Sequence, residues 1–377
     1  ITIHKKQALP LVLLAEALKW EEYLSSDPLV VPLGMDEFGH KQMLDISKTP
    51  HMLLAGTTGC GKSVLTHSII NALIKKNDPE NLRFIFVDPK RTELTQYKNL
   101  PHLLTPPITQ AKKAVRALSW AIKEMERRYD ILESEKCVNV TSYHTNMYQP
   151  AKTQWEQAGS MEVDRESLPE ALPYIVIVID ELNDMMQMYP TEIEGCMVRL
   201  AQMSRAVGIH MILTTQRPSV NVLTGALKAN IPTRIAMTVA SQVDSRTIID
   251  TPGAEKLRGN GDMLYQSATD PKLKRIQGLY VSPEEVSQLV TEWTDSPADT
   301  PSRLDTLDLS ERRDDYSHLF NAEGDDGTDE LYQDAKQAVI EAGKASTSFI
   351  QRSLRVGYSR AARLMDLLEE GKVIGPQ

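Results

Sequence analysis

The chain has 377 residues, 41% of them hydrophobic and 25% charged, and a formal net charge of −9, as expected of a globular protein with two or three domains. Three widely spaced cysteines without a CxxC pair argue against a disulfide framework or a zinc site. No apolar run approaches the roughly 18 residues that span a bilayer, which argues against a transmembrane segment in this sequence.

Residues 1–48 are predicted to form a small leading element, which we interpret as the end of a preceding α domain. The sequence begins with Ile1 and shows no signal-peptide pattern. This favours a fragment, with anchoring segments, if any, outside it.

Between residues 49 and 294, apolar β-branched runs alternate with helical patterns. The runs HMLLAG, RFIFVD, YIVIVIDE, IHMILTT and TRIAMTV are typical of strands buried on both faces of a sheet. Helices are predicted over residues 62–76, 111–133 and 192–207, whereas residues 134–172 are polar and weakly periodic. The alternation predicts an α/β domain with a mainly parallel sheet, which binds ligands at the carboxyl ends of its strands.

The segment GTTGCGKS fits the phosphate-loop pattern G-x-x-x-x-G-K-[ST] and lies between a predicted strand and a predicted helix. Its backbone N–H groups would cradle the phosphates of ATP, Lys62 would reach the β- and γ-phosphates, and Ser63 would ligate Mg²⁺. Catalysis by Cys60 is not expected, because no nearby histidine is available to generate a thiolate. The predicted nucleotide-binding residues are Gly56, Thr57, Thr58, Gly59, Cys60, Gly61, Lys62 and Ser63.

Acidic and polar residues follow the later strands. In YIVIVIDEL, Asp180 would hold Mg²⁺ through water, and Glu181 would polarise the attacking water. An aspartate that only caps the next helix is the alternative, and the phosphate loop upstream disfavours it. Gln216, at the end of the fourth predicted strand, is placed to sense the γ-phosphate.

Arg205 and Arg246 are two candidates for an arginine finger that acts across a subunit boundary. In-line phosphoryl transfer develops charge that a cation from a neighbouring subunit can stabilise. Each arginine is also open to the role of a surface ion-pair partner, and the sequence does not choose between the two.

Residues 295–329 are predicted to be an acidic flexible linker. From Asp295 to Glu330 there are twelve acidic and three basic residues, which accounts for the whole net charge of the chain. The stretch is also rich in Pro, Gly, Ser and Thr, as solvated linkers are.

Residues 330–377 carry three short helical patterns of the helix-turn-helix kind. Arg360 and Arg363 follow the predicted N-cap Ser359, where a recognition helix reaches guanine edges in the major groove. The alternative is a solvated helix face in a protein-binding module. From Lys344 to Arg363 there are five basic and no acidic residues. The DNA-binding candidates here are Lys344, Arg352, Ser359, Arg360 and Arg363.

Many long segments, in order, resemble the FtsK/SpoIIIE family of DNA translocases. They include PHMLLAGTTGCGKS, RFIFVDPKRTEL, EMERRYDIL, PYIVIVIDEL and SRAVGIHMILTTQRPS, and the tail RVGYSRAARLMDLLEEGKVIG is similar to the family's γ module, a winged helix. The resemblance implies a RecA-like P-loop ATPase that uses ATP and Mg²⁺ and pumps double-stranded DNA through a homo-hexameric ring.

The resemblance also implies partners and a location. The γ module would read short G-rich sequences that set the direction of pumping, and in some members it contacts a site-specific tyrosine recombinase. The motor portion would be cytoplasmic and act in chromosome segregation and cell division. An N-terminal region that this chain lacks would anchor it in the inner membrane at the division site. In RPSVNVLTGALKAN we expect Arg217 and Lys228 to contact DNA phosphates without reading sequence.

The sequence departs from the family pattern at several positions. Cys60 stands where serine is usual, and Arg258 and Asn260 stand where apolar residues are expected. Ser359 replaces a common asparagine, so we expect a different recognised sequence. The chain also ends at Gln377, before a complete wing.

Two other functions remain open on the sequence alone. A related ring ATPase of conjugation or protein secretion would share the motor, although the terminal winged helix speaks against it. A DNA-binding scaffold that holds nucleotide without turnover would not need the intact Asp180 and Glu181.

Overall fold

A computed structural model describes residues 11–158, 168–294, 332–342, 346–354, 364–365, 368 and 373–374. The chain divides into two compact units, residues 1–314 and 315–377. The predicted linker lies outside the described residues. Within the described ranges, no helix is both long enough and apolar enough to cross a bilayer.

The first unit is built on one sheet. Its strands are β1 (Val30–Asp36), β2 (Lys41–Asp45), β3 (His51–Ala55), β4 (Leu82–Val87), β5 (Tyr174–Ile179), β6 (Ile209–Thr215), β7 (Thr233–Met237), β8 (Asp262–Gln266) and β9 (Lys274–Gly278). The described residues place nine strands in the order β2-β1-β9-β8-β7-β3-β6-β5-β4. The sheet therefore has a parallel half, β7-β3-β6-β5-β4, and an antiparallel half, β2-β1-β9-β8.

All five predicted strands form the parallel half. Every residue of β3, β4, β5, β6 and β7 is buried, as continuous apolar runs between two helical layers require. The prediction of an α/β fold with parallel strands is confirmed for this half. The antiparallel half was not predicted.

The leading segment contributes two strands to the same sheet. Strand β1 pairs with β2 on one side and with β9 on the other. Gly34 permits this pairing, because a Cβ there would lie 2.0 Å from the Gln277 carbonyl oxygen. Residues 11–48 thus belong to the same compact unit as the phosphate loop.

The helices of the first unit pack against the sheet and against one another. In the first unit they are α1 (Leu14–Ala17), α2 (Glu21–Leu24), α3 (Lys62–Lys76), α4 (Ala111–Ser134), α5 (Val140–Tyr143), α6 (Gln149–Ala158), α7 (Leu182–Met188), α8 (Pro190–Met203), α9 (Gly225–Asn230), α10 (Gln242–Ile249) and α11 (Pro283–Thr294). Helix α3 has the predicted bounds. Helix α4 packs against α8, and the fully buried Arg128 joins α4 to the turn before β6 by donating to Val207 O at 2.9 Å.

One helix ends earlier than predicted, and the segment 134–172, for which no structure was predicted, contains helices. Helix α8 ends at Met203 rather than at residue 207, because Ser204 begins a turn in which its hydroxyl donates to Ile209 O at 2.7 Å. The weakly periodic stretch 134–172 contains α5, a π-helical turn and α6. A reciprocal capping box between Asn139 and Ser142 starts α5, a local signal that weak periodicity hides.

The second unit contains α12 (Tyr332–Ala342) and α13 (Thr347–Leu354), two helices in the stretch where three short helical patterns are predicted. Its described core residues are Ala335, Val339, Ile350, Leu364, Met365 and Leu368. Leu364 and Leu368 are fully buried in this core.

Candidate active site

The phosphate loop connects β3 to α3 in the way its motif predicts. Gly59 and Gly61 have positive φ angles of 80° and 104°, and Gly61 is the N-cap of α3. Gly61 also lies close to another chain segment, since a Cβ there would be 2.6 Å from Gly261 N. No side chain caps α3, so its first backbone N–H groups are left to bind an anion.

Lys62 is held at the carboxyl ends of β5 and β6. Its Nζ donates to Asp180 Oδ1 at 2.7 Å, to Asp180 O at 2.9 Å and to Thr214 Oγ1 at 2.9 Å. Lys62 and Asp180 are 3% and 1% exposed, so this ion pair is shielded from water. The two predicted residues of opposite charge are therefore brought together.

Asp180 and Ser63 present oxygens suited to magnesium. Asp180 Oδ2 is buried without a hydrogen-bond partner in the described part of the chain, and burial raises the pKa of this carboxyl group although Lys62 opposes the shift. Ser63 Oγ donates to Glu93 Oε1 at 2.8 Å. A hydroxyl and a water-linked carboxylate beside a phosphate loop are the oxygen ligands that Mg²⁺ takes in such sites. The residues present thus fit the ion.

Glu181 is buried, and both its oxygens are engaged. Oε1 accepts from Thr215 Oγ1 at 2.7 Å, Oε2 accepts from Lys90 Nζ at 2.9 Å, and the Gln216 N–H lies 3.3 Å from each. Partial burial alone would lower the pKa of Lys90, but its bond to Glu181 raises it. Thr215 is fully buried, whereas the Lys90 side chain is 38% exposed, so Lys90 is the donor that can most readily leave.

Gln216 contacts both the phosphate loop and Glu181. Its Oε1 accepts from Thr58 Oγ1 at 2.9 Å. Thr57 donates from both its N–H and its hydroxyl to Thr238 O, each at 2.9 Å, which fixes the loop against the end of β7. The side chain predicted to sense the γ-phosphate thus contacts the phosphate loop.

Cys60 has a structural role. Its side chain is 3% exposed, and its Sγ lies 3.8 Å from Met237 Sδ. Burial raises the pKa of the Cys60 thiol. A protonated, enclosed thiol is a poor nucleophile, in agreement with the prediction that Cys60 is not catalytic.

The predicted basic residues of the first unit lie on different segments of the chain. Arg205 precedes β6, and its Nε donates to Ser47 O at 3.2 Å. Arg246 is exposed on α10, and Arg217 is exposed just after β6. The Lys228 ammonium lies 2.7 Å from Asp250 Oδ1, so it is already paired in this structure.

Four of the five DNA-binding residues predicted in the second unit are outside the part of the chain that the structure describes. Lys344, Ser359, Arg360 and Arg363 lie outside the described residues. Arg352 falls within α13.

Four residues that hold the site together had no predicted role: Thr214, Thr215, Lys90 and Glu93. The two threonines looked like ordinary strand-end residues, yet they contact Asp180 and Glu181. Lys90 and Glu93 follow β4 in the segment DPKRTEL, and Asp88 accepts from the Glu93 N–H at 3.1 Å. A hydrogen bond from His67 is the main cause of the lowered pKa of Glu93. Their position at a strand end was the available signal.

Two family models match the chain. The model of the FtsK/SpoIIIE family matches residues 13–220, and that of the Ftsk gamma domain matches residues 326–377. The first match contains the phosphate loop, the acidic pair and Gln216.

Relatives of known identity cover nearly the whole chain. The DNA translocase FtsK of Lactiplantibacillus plantarum is 45% identical over 351 residues, which is 93% of this chain and 42% of that protein. The DNA translocase FtsK of Clostridium acetobutylicum is 42% identical over 95% of this chain and 44% of its own length. That of Haemophilus influenzae is 41% identical over 97% of this chain and 70% of its own length. The chain thus spans less than half of the first two relatives.

Solved structures share the fold of the motor. The cytoplasmic domain of the type VII secretion ATPase EccC of Thermomonospora curvata has a TM-score of 0.61 at 25% identity, over 78% of this chain and 36% of that chain. The pCW3 conjugation coupling protein TcpA, a monomer form with ATPγS, has a TM-score of 0.59 at 24% identity, over 76% and 75% of the two chains. These likenesses confirm the predicted P-loop ATPase fold.

Proposed function

The chain belongs to the FtsK/SpoIIIE family of P-loop ATPases, and from that premise we propose that it is the motor portion of a DNA translocase. It would hydrolyse ATP and use the free energy to move along double-stranded DNA. The observation that carries the proposal is the convergence of Lys62, Asp180 and Glu181 at one sheet edge, in a chain 41 to 45% identical to DNA translocases.

The residues at the carboxyl ends of the strands have separate roles in hydrolysis. The backbone of the loop and Lys62 bind the phosphates, for which Nζ must exchange part of its present contacts with Asp180 and Thr214. Glu181 orients the attacking water and takes its proton at a carboxylate oxygen. Thr215 and the Gln216 N–H hold this carboxylate from one side, and an oxygen becomes available once Lys90 leaves.

Magnesium would be held by the Ser63 hydroxyl and, through water, by Asp180, where it neutralises charge on the β- and γ-phosphates. Ser63 now donates to Glu93, so its hydroxyl must turn away from that carboxylate to offer a lone pair. Glu93 is therefore placed to release Ser63 when the nucleotide enters.

The proposal extends to a ring of six copies around the duplex. A ring would let an arginine of one subunit stabilise phosphoryl transfer in the next, and either Arg205 or Arg246 would serve as that finger. Arg246 is exposed on α10, which supports its availability to a neighbour. Imaging with duplex DNA and a slowly hydrolysed ATP analogue tests the ring: six encircling subunits are expected, and monomers alone would refute it.

DNA contacts are proposed for both units. Arg217 is exposed after β6 and would grip phosphates in the ring pore, whereas Lys228 would first have to leave Asp250. In the second unit Lys344, Arg352, Ser359, Arg360 and Arg363 would contact DNA, with the arginine pair reading guanine. Family membership supports the remaining parts: directed pumping in chromosome segregation, a tyrosine recombinase partner and an inner-membrane anchor outside this chain.

A ring ATPase of conjugation or secretion is the second candidate. The solved neighbours TcpA and EccC favour it by fold, at 24% and 25% identity. The match of residues 326–377 to the Ftsk gamma domain and the higher identity to the DNA translocases favour the first candidate.

The ATPase rate with and without long duplex DNA tests the proposal. We expect stimulation that grows with duplex length, because a translocase on a longer track dissociates less often at its ends. An equal rate with and without DNA would contradict it. Glu181→Gln, which should bind ATP without turnover, controls for contaminating ATPases.

A further inference from the structure

Asp250 holds two cations that come from different elements of the first unit. Its Oδ1 lies 2.7 Å from Lys228 Nζ on α9, and its Oδ2 accepts from the Arg234 guanidinium at the start of β7. Neither contact includes a residue of the proposed ATPase site. The proposed hydrolysis of ATP therefore does not account for this carboxylate.

Arg234 fixes the end of α9 through its backbone. The Arg234 side chain is 9% exposed, its Nε donates to Ile231 O at 3.1 Å, and its Nη2 donates to Lys228 O at 2.6 Å. The backbone of Lys228 is thus held in place without help from the Lys228 ammonium group.

The position of Asp250 in the backbone does not explain its charge. Asp250 is the C-cap of α10 and has a positive φ of 60°, which asparagine or glycine adopts as readily. A negative charge is unfavourable at this end of a helix, because the helix dipole attracts cations there. Partial burial alone would raise the pKa of Asp250, but its bonds to Lys228 and Arg234 lower it. The charge of the carboxylate thus serves the two cations that it holds.

The contact between Asp250 and Lys228 is open to exchange. The Asp250 side chain is 60% exposed and that of Lys228 is 21% exposed, so water and other anions can reach the pair. Exposed ion pairs contribute little to stability, because hydration of the separated charges compensates for their attraction. A DNA phosphate offers an ammonium group the same kind of partner, an anionic oxygen at hydrogen-bond distance.

We propose that Asp250 is an intramolecular stand-in for a DNA phosphate, which occupies Lys228 in the DNA-free protein and yields it to the duplex. The inference rests on the proposed contact of Lys228 with DNA. Each subunit gives up one ion pair when it binds DNA, so the affinity is lower than an unpaired Lys228 would provide. Arg234 keeps its bond to Asp250 after the exchange, and the carboxylate is not left without a cation.

Fluorescence anisotropy of a labelled duplex with the full chain, in the absence of ATP, tests the exchange. Asp250→Asn removes the competing charge and keeps an acceptor for Arg234, so DNA binding should tighten roughly two- to fivefold at low salt. The gain should shrink as the salt concentration rises, because salt screens an exposed pair. Lys228→Ala should weaken binding, and Asp250→Asn should then bring no further gain in the double variant.

Asp270→Asn is a matched control, since the Asp270 side chain is 42% exposed and lies 2.8 Å from Lys274 Nζ. It removes one negative charge from the same unit without changing the partner of Lys228, so the affinity for DNA should stay at the wild-type value. Asp250→Gly is a second route to the same result. Glycine tolerates the positive φ and removes the carboxylate altogether, so binding should tighten as it does with asparagine.

Three results would overturn the inference. Unchanged affinity in both Asp250 variants would show that the carboxylate does not compete with DNA. A gain that persists beside Lys228→Ala, or that Asp270→Asn matches, would assign the effect to overall charge. Unchanged affinity in Lys228→Ala would show that this lysine does not contact DNA, and it would leave the translocase proposal standing on Arg217 and the second unit. An ATPase rate that ignores DNA would refute the translocase proposal alone.

Discussion

The two ends of strands β3 and β6 are equally buried and chemically opposite. At the amino ends lie His51 and His210, 2% and 1% exposed, with ring centroids 6.5 Å apart. At the carboxyl end of β6, Thr214 and Thr215 are fully buried and bond to the acidic pair after β5. Burial alone therefore does not make a site; ionic partners within hydrogen-bond distance do.

The difference is visible in protonation. Burial lowers the pKa of His51 to about 3 and that of His210 to about 4, which keeps both histidines neutral at physiological pH. At the carboxyl ends of the strands, Lys62 lies 2.7 Å from the Asp180 carboxylate and Lys90 lies 2.9 Å from the Glu181 carboxylate. Each ammonium group stabilises the negative charge of its partner. The two histidines are buried in the fold in their neutral form, whereas the carboxyl ends hold the charged groups that we propose to act in hydrolysis.

The largest expected effect is the loss of turnover in the variant Glu181→Gln, at the carboxyl ends of the strands. The amide keeps the size of the side chain and loses the ability to take a proton, so kcat should fall roughly 10³-fold while ATP still binds. Single-turnover hydrolysis and nucleotide binding measure the two effects. Turnover within twofold of wild type would show that Glu181 is not the base.

The two buried histidines at the amino ends of β3 and β6 should make the stability of the fold sensitive to acid. The unfolded histidines take up protons below about pH 6.5, while the folded ones remain neutral until about pH 4. Stability is therefore full above about pH 6.5 and falls as the pH drops, by about 2 kcal/mol per histidine at pH 5. In urea unfolding at pH 7.5 and pH 5, His51→Leu should lose less stability on acidification than wild type.

A matched control for the acid effect is His40→Gln, because the His40 side chain is 74% exposed. This variant should lose as much stability between pH 7.5 and pH 5 as wild type does. If His51→Leu also loses the wild-type amount, the neutral buried histidine is not the source of the acid sensitivity.

The smallest expected effect comes from Thr215→Val, which keeps the shape and removes the hydrogen bond to Glu181 Oε1. With one donor fewer, the carboxylate is less well oriented, and kcat should fall about tenfold at unchanged KM. Thr215→Ser should restore most of the rate. A rise in KM without a change in kcat would assign Thr215 to nucleotide binding.

The parallel half of the fold was predictable because its strands are buried on both faces and so appear as apolar runs. The antiparallel half was not, for local reasons. Strand β1 contains Pro32 and Gly34, which disfavour a strand, and the register of its pairing with β2 shifts between them. Strand β9, KRIQG, is too polar to stand out. Pairing with neighbours decides the conformation of both.

The same limit applies to the site. The motif identified Lys62, Ser63 and the acidic pair, because phosphate and magnesium chemistry restricts which residues can stand there. Lys90, Glu93 and the two threonines follow strand ends, but their roles in the site emerge only from contacts between different segments.

The central claim is that cleavage of ATP at the carboxyl ends of the parallel strands drives movement along duplex DNA. Displacement of a triplex-forming strand from a long duplex, measured for wild type and Glu181→Gln at saturating ATP and Mg²⁺, tests it most directly. Wild type should displace the strand at a rate that depends on ATP, and the variant should bind the same DNA and leave the strand in place. Wild type that hydrolyses ATP without displacing the strand, or a variant that displaces it equally fast, would contradict the claim.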